Sequence, residues 1–372
     1  MIENDYYEQV RQKLTLGPIF APKDERTFKI MKILWDEKEI EILSNFPNAG
    51  KSISLRMIAK KVNIEKAELK KILDRLAEKG TISKIGTRYE LVPLAPGVFE
   101  KYFLARKDTK ENMSKAAVIF REIFDEVLPD ILRKVDMQLL RPVLPYNAKE
   151  KIIQIDKQVN ASSKVLPFEE VENLINKFET FAVVPCQCRL LGEYSGNPCE
   201  LAPAEDGCLF GGVAAQLQIE KGWGRKLNKE EAIEYVKLCE ERGLIHNTVD
   251  DISPESSLFI CNCCSCHCGV LYPSKKFRVY AVAKSNYLPQ FDLELCVQCG
   301  LCETKCPMSA ISEQQSESSD KIFMTVNEQY CVGCGVCATN CPENAIKLKK
   351  IRENTPQKHL KFGNKSFLEL FL

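Results

Sequence analysis

The chain has 372 residues, of which 45% are hydrophobic and 28% are charged, and its formal net charge is +1. This composition predicts a folded globular protein of about two to four domains and excludes a largely disordered chain. The balanced charge gives no overall attraction to nucleic acid or to an anionic membrane. Partners therefore have to be inferred from local features.

Cysteine is the residue type that stands out, with eighteen copies. The first residues, Met1 to Asp5, lack the basic and apolar regions of a secretory leader. No uninterrupted apolar run approaches the roughly 20 residues that span a bilayer. We therefore expect a cytoplasmic protein with no membrane span, whose thiols bind metal rather than form disulfides.

The N-terminal part predicts an arm followed by a small helical domain. Residues 1–26 have no clear period and are expected to form a loosely ordered N-terminal arm. In residues 27–97, apolar helical patterns precede a short helix that begins near Ser54 and a longer one over residues 65–79. A hairpin around Gly86 follows. This order of helices and hairpin resembles the winged helix domains of many transcription regulators.

The charge of this region bears on whether it contacts DNA or has a docking or structural role. Residues 51–91 contain eleven Lys or Arg and five Asp or Glu, which permits DNA binding without requiring it. The helix over residues 65–79 carries five basic and four acidic residues. A DNA-reading helix is usually more one-sided, so the pattern favours a docking or structural role over nucleic-acid contact.

Residues 98–178 continue in helical register and predict a helical connector with no assigned chemistry. Residues 179–285 predict a Cys-rich α/β middle domain. Two apolar strand patterns, Phe181 to Pro185 and Leu258 to Ile260, each run into cysteines, so these cysteines are expected to meet at one end of a small sheet. The candidate ligands of a third metal centre are Cys186, Cys188, Cys199, Cys208, Cys261, Cys263, Cys264, Cys266 and Cys268.

The grouping of these ligands follows from their positions along the chain. One set of four is Cys186, Cys188, Cys199 and Cys208, and the run from Cys261 to Cys268 then either completes a second site or shares the first. Because side chains alternate in an extended chain, Cys264, Cys266 and Cys268 are expected to point together, away from Cys261 and Cys263. The preferred interpretation is a third [4Fe-4S] cluster, with structural zinc and a redox-active dithiol or persulfide site as alternatives. His267 is a further candidate ligand, and Cys239 is expected to pack in the core.

Residues 286–350 contain two copies of the pattern C-x2-C-x2-C-x3-C-P, related by a shift of 35 residues. This spacing holds cubane iron–sulfur clusters, and the fourth cysteine of each run ligates the other cluster. Zinc is disfavoured because a tetrahedral zinc ion takes four ligands and does not require three evenly spaced cysteines followed by a fourth before Pro, twice over. Short apolar segments before and after each run suit small strands. One predicted cluster is ligated by Cys296, Cys299, Cys302 and Cys341, and the other by Cys331, Cys334, Cys337 and Cys306.

These runs resemble the bacterial-type two-cluster ferredoxins. The whole arrangement is similar to a group of iron–sulfur proteins from anaerobes described only as 4Fe-4S binding proteins. The resemblance implies a protein that passes single electrons to or from a partner oxidoreductase. The alternatives are a redox-sensing winged-helix transcription regulator and an iron–sulfur oxidoreductase with its own thiol or cluster active site.

The predicted fold class is α+β, and no residue is assigned a catalytic role. No Gly-rich strand-to-helix fingerprint and no complete phosphate-binding loop is present, so electrons are expected to come from a separate protein. Residues 351–372 form a C-terminal tail with an apolar end, which is expected to pack on the two-cluster module or on another subunit.

Overall fold

The computed structural model describes residues 5–135, 138–152, 166, 168–249, 257–315, 322–355, 361–366 and 369–370. The chain divides into two compact units. The first unit comprises Met1–Asp130, Arg189–Pro198 and Leu360–Leu372, and the second comprises Ile131–Cys188 and Cys199–His359. Helices and antiparallel strands occur together, which fits the predicted α+β class.

The first unit is mainly helical. Its helices α1 to α7 are Tyr6–Lys13, Glu25–Leu34, Glu37–Ser44, Leu55–Ala59, Lys66–Glu78, Phe99–Ala105 and Lys110–Glu122. Strands β1 (Ile53–Ser54), β2 (Ser83–Ile85) and β3 (Arg88–Glu90) form an antiparallel sheet in the order β1-β3-β2. Helices α8 (Leu128–Val135) and α10 (Gln187–Tyr194) contain points where the chain passes from one unit to the other.

Helix α5 has the amphipathic pattern that the sequence predicts. Its buried residues, Leu69, Leu73 and Leu76, recur at the three- to four-residue spacing of one helix face. The Glu65 side chain accepts hydrogen bonds from first-turn amides, so the helix begins one residue later than expected. Gly80, with φ +81, ends it where an added Cβ would overlap the backbone of α6.

The N-terminal residues are more ordered than the expected loose arm. Helix α1 begins after Asp5, whose side chain accepts a hydrogen bond from the Glu8 amide. Val10 and Leu14 are fully buried. The sequence missed this helix because two core residues are too few to define a helical period.

The described part of the C-terminal tail divides between the two units. Residues 351–355 belong to the second unit, where the Ile351 amide donates a hydrogen bond to the Asn286 carbonyl, and residues 361–366 belong to the first unit. Strands β14 (Lys361–Phe362) and β15 (Lys365–Ser366) form a hairpin in which Phe362 is buried. Asn364 donates a hydrogen bond to the Gly50 carbonyl, and Lys365 forms an ion pair with Glu90. The start of the tail thus packs on the two-cluster module, as expected, whereas the hairpin packs in the first unit. Of its apolar end, Phe367, Leu368, Phe371 and Leu372 lie outside the described residues.

A six-stranded antiparallel sheet forms the centre of the second unit. Its strands are β4 (Leu140–Pro142), β5 (Phe181–Val184), β6 (Cys208–Gly212), β7 (Arg225–Leu227), β8 (Ile245–Val249) and β9 (Ser257–Cys263), in the order β4-β8-β9-β6-β5-β7. The accompanying helices are α9 (Val171–Ile175), α11 (Val213–Glu220), α12 (Lys229–Glu241) and α13 (Leu271–Phe277). Strands β5, β6 and β9 pack with α9 and α12 in one apolar core, in which Cys239 is fully buried, as predicted.

The C-terminal part of the second unit consists of two similar halves. Strand β10 (Tyr287–Phe291), helix α14 (Leu301–Thr304) and strand β11 (Ile311–Gln315) form the first half. Strand β12 (Ile322–Val326), helix α15 (Val336–Thr339) and strand β13 (Ile346–Lys350) follow with the same spacing, 35 residues later. Strand β10 pairs with β13, and β11 with β12, so the expected small strands are present.

No helix among the described residues is both long enough and apolar enough to cross a membrane.

Candidate metal centres

The first cysteine group consists of Cys296, Cys299, Cys302 and Cys341. These four residues line one cleft with about 360 Å³ of space, part of which is open to solvent. Its other walls include Phe291, Met324 and Ile346, which come from β10, β12 and β13. The fourth cysteine, Cys341, thus reaches the first loop from the second run. Burial raises the pKa of Cys302 to about 11, and the neighbouring Cys296 and Cys299 add to this effect.

The second cysteine group consists of Cys306, Cys331, Cys334 and Cys337. Cys306 comes from the first run, yet it lies among the cysteines of the second. Burial raises the pKa of Cys331 to about 11, and Cys306 contributes to the same increase. The pKa values of Cys334 and Cys337 are raised for the same reasons. Thiols kept neutral by burial and by one another form a site that a bound cation would stabilise as thiolates.

Glycine permits the tight loop of the second group. Gly333 and Gly335 have φ +70 and φ +79, in the left-handed region. A Cβ on Gly333 would overlap the Ser285 hydroxyl and the Tyr287 carbonyl. Ser285 donates a hydrogen bond to the Gly333 carbonyl (2.6 Å) and thereby holds the loop against the chain that leads into β10.

The two groups differ in exposure. Cys299 is exposed and lies in a run over residues 292–299 that is exposed at most positions. Leu293 and Val297 in this run are each 62% exposed. Cys337 of the second group is buried. The first group therefore lies beside a solvent-exposed run in which apolar side chains alternate with acidic ones, and the second lies deeper in the unit.

The middle cysteines meet at one edge of the six-stranded sheet, as the sequence predicts. Strands β5 and β9 both run antiparallel to β6, which lies between them. They therefore end at the edge where β6 begins with Cys208. Val184 pairs with Cys208, and Cys261 to Cys263 complete β9 at this edge.

Six of these cysteines form a continuous set of sulfur contacts, the six-thiol group. Its members are Cys186, Cys188, Cys208, Cys261, Cys263 and Cys268. The Cys208 and Cys261 sulfurs are 3.5 Å apart. Cys188 shares hydrogen bonds with Cys186 and Cys268, and Cys263 shares them with Cys261 and Cys268. Hydrogen bonds from Cys261 and Cys268 lower the pKa of Cys263 to about 7.

A second set, the Cys3His group, consists of Cys199, Cys264, Cys266 and His267. Their ligand atoms all lie within 4.8 Å of one another. The Cys199 and Cys266 sulfurs are 3.6 Å apart. Hydrogen bonds from Cys264 and Cys266, and then from His267, lower the pKa of Cys199.

The structure thus corrects two groupings expected from the sequence. Cys199 does not join Cys186, Cys188 and Cys208, because its loop carries it to the Cys3His group. Cys268 does not point with Cys264 and Cys266, because strand β9 ends at Cys263 and a turn over residues 265–267 redirects the chain. Strict alternation of side chains requires extended backbone, and it stops where the turn begins.

One buried polar network, which the sequence analysis missed, fixes the strand that carries Cys261 and Cys263. Asn262, between them, donates hydrogen bonds to the Gly207 carbonyl (2.9 Å) and the Tyr235 hydroxyl (3.3 Å). Its Oδ1 is 2.7 Å from Nδ1 of His246, so that ring nitrogen is the donor. Side chains alternate along a strand, so Asn262 lies on the face opposite Cys261 and Cys263. This alternation is the only feature of the sequence that indicates its role in the network.

Comparison with known proteins identifies one domain. Residues 281–348 match the family model described as a 4Fe-4S dicluster domain, and this range contains the first and second cysteine groups. The match supports an iron–sulfur protein with a role in electron transfer. Neither a curated protein nor a solved structure matches the chain.

Proposed function

We propose that the chain is an electron-transfer protein that holds two [4Fe-4S] clusters and passes single electrons to or from a partner oxidoreductase. The ligands would be the first cysteine group for one cluster and the second cysteine group for the other. The observation that carries this proposal is the exchange of Cys306 and Cys341 between the two runs. Such an exchange is the arrangement that two-cluster sites require.

The donor sets fit these cofactors. Each group offers four thiols and no nitrogen or carboxylate ligand, and soft thiolates are the ligands of iron–sulfur clusters. When bound, the clusters supply reversible one-electron chemistry. Cys302 contributes to the raised pKa of Cys337, which indicates that the two groups are neighbours. This proximity favours electron transfer between the two clusters.

The six-thiol group supports a third iron–sulfur centre. Cys261, Cys263 and Cys268 contribute to the apolar core that also contains Cys306, Cys331 and Cys334. An electron could therefore move from the exposed first group through the second group to a centre beside the sheet. Six thiols exceed the four ligands that one zinc ion takes, and a cluster would be held by those of the six that are not in direct contact with one another.

The exposed run beside the first group is the proposed contact surface for the redox partner. Leu293 and Val297 are large apolar side chains that lie mostly in solvent. Large apolar side chains that are exposed close together mark sites of contact with other proteins. This surface would bring a partner to the first group rather than to the deeper second group.

We propose that the order of α2 to α5 with the β1-β3-β2 sheet is a winged helix that serves docking rather than DNA binding. Basic side chains of α5 are engaged with acids: Lys70 lies 2.6 Å from Asp74, and Arg75 lies 2.6 Å from Glu39. Such pairing lowers the positive potential that phosphate contact requires. We place the protein in the cytoplasm, where its thiols would stay reduced.

Iron counting in double variants tests the proposed ligand sets. Loss of one ligand is expected to remove one cluster, or about four irons. Cys306→Ala combined with Cys331→Ala should lose no more iron than either single variant, because both would ligate the same cluster. Cys306→Ala combined with Cys296→Ala should lose about eight irons.

The exchange of ligands would be contradicted if Cys306→Ala combined with Cys331→Ala lost about eight irons while Cys306→Ala combined with Cys296→Ala lost only about four. Cys239→Ala is the matched control, because it removes a buried cysteine that belongs to none of the groups. The proposal requires this control to keep its full iron content.

A further inference from the structure

We propose that Cys199, Cys264, Cys266 and His267 bind one Zn²⁺ ion, in a site separate from every iron–sulfur centre of the chain. This inference does not depend on the proposed electron-transfer function. It divides the middle domain into a thiol-only site and a mixed sulfur and nitrogen site, where the preferred interpretation of the sequence is a third [4Fe-4S] cluster.

The spacing of the four ligand atoms fits a single ion. Zinc binds Cys sulfur at about 2.3 Å in a tetrahedron, which places two sulfurs on the same ion about 3.8 Å apart. The Cys199 and Cys266 sulfurs are 3.6 Å apart, and all four ligand atoms lie within 4.8 Å of one another. A cubane holds each thiolate on a different iron, so its ligands must stand much farther apart. The Cys3His group is therefore too compact for a cluster.

The identity of the donors points to zinc. Three thiolates and one imidazole form one of the usual ligand sets of structural zinc sites. The group supplies four protein ligands, which complete a tetrahedron and leave no position for water or substrate. A structural role follows, in contrast to the open coordination of catalytic zinc.

The backbone explains why this site is distinct from the six-thiol group. Cys263 and Cys264 are adjacent at the end of β9, and neighbouring residues of an extended chain point to opposite sides. Cys263 contacts Cys261 and Cys268, whereas Cys264 joins Cys199 and Cys266. The end of β9 thus contributes to two sites at once.

A zinc ion here would tie two distant parts of the chain together. Cys199 lies in the loop before β6, and Cys264 packs in the core of the second unit at 2% exposure. Fixing this loop to the turn after β9 closes a segment of about 65 residues, which restricts the unfolded chain. The ion would therefore stabilise the edge of the sheet at which the six-thiol group is assembled.

Metal analysis of the full chain, purified without oxygen, tests the proposal. We expect about one zinc per chain in addition to iron. X-ray absorption at the zinc edge should show three sulfur neighbours at about 2.3 Å and one nitrogen at about 2.0–2.1 Å. A zinc-free protein, or zinc bound by sulfur alone, would overturn the proposal.

Two variants make the assignment specific. Cys266→Ser should lose the zinc and keep the irons of the first and second cysteine groups. His267→Cys should keep zinc while the nitrogen neighbour is replaced by a fourth sulfur. Ser265→Ala is the matched control, since Ser265 lies in the same turn and outside the group, and it should leave zinc unchanged.

The outcomes separate this proposal from the electron-transfer function. If Cys266→Ser loses iron rather than zinc, or if His267→Cys keeps its nitrogen neighbour, the zinc site is wrong while the two-cluster proposal stands. If the wild-type chain holds one zinc but fewer than about eight irons, the two-cluster proposal fails while the zinc site stands.

Discussion

Single residues set the geometry of the second cysteine group. Gly333 has a left-handed backbone and no room for a Cβ beside Ser285 and Tyr287. Gly300, next to the first group, has a similar φ of +71, but a Cβ added there would have no atom within 4 Å. The two glycines therefore separate the effect of backbone strain from the effect of a steric overlap.

We predict that Gly333→Ala lowers the iron content by up to about four atoms per chain, because the loop must move away from Ser285 and Tyr287. Gly300→Ala adds only backbone strain, of about 1–2 kcal/mol, and should keep its iron. Iron and sulfide analysis of both variants measures the difference. Equal iron losses would show that the overlap at Gly333 is not important.

Glu100 in α6 provides a pH test in the first unit. Its carboxyl is buried, which raises its pKa from 4.5 to about 7. The folded state then binds a proton that the unfolded state releases between these pH values, so stability falls as pH rises through this range. The maximum loss above pH 7 is about 3 kcal/mol.

We predict that Glu100→Gln removes this loss, because the amide stays neutral. The melting temperature of the variant should match wild type near pH 4.5 and exceed it increasingly up to pH 8. Glu111→Gln on α7 is the control, because that carboxylate is exposed and paired with Lys115. A difference between Glu100→Gln and wild type that does not change with pH would contradict the buried-carboxyl account.

At the scale of elements, local spacing accounts for what the sequence predicts well. The cysteine runs, their flanking strands and helix α5 each depend on residues a few positions apart, and the structure contains these elements. The Cys3His group could not be found in this way, because Cys199 meets Cys264 only after the sheet has formed. Helix α1 was not predicted for a different reason. Its eight residues contain too few buried positions to define a helical period.

The exposed run over residues 292–299 leads to an element-scale prediction. Val297→Asp should slow reduction by a flavoprotein reductase about tenfold, because a charge in an apolar contact opposes docking. Reduction by dithionite, which needs no docking, should be unchanged. Val213→Asp, at another exposed valine of the second unit, is the control. If the reductase reduced Val297→Asp and wild type at equal rates, the partner would have to dock on another surface.

At the scale of the whole molecule, eighteen cysteines divide into groups with different chemistry. Two four-cysteine groups lie within the match to a 4Fe-4S dicluster domain. The six-thiol group lies beside the second of them, and the Cys3His group has the spacing of a single ion. Cys239 is a core residue. Composition alone predicts metal binding, but only the folded chain separates thiols that are adjacent in sequence, such as Cys263 and Cys264.

The central claim is that the first and second cysteine groups hold two neighbouring [4Fe-4S] clusters. EPR spectroscopy of the reduced full chain, prepared without oxygen, tests it most directly. We expect at least two unpaired spins per chain, with a spectrum that is broadened and split by the interaction between adjacent clusters. A single isolated spin, or no signal from reduced clusters, would contradict the account.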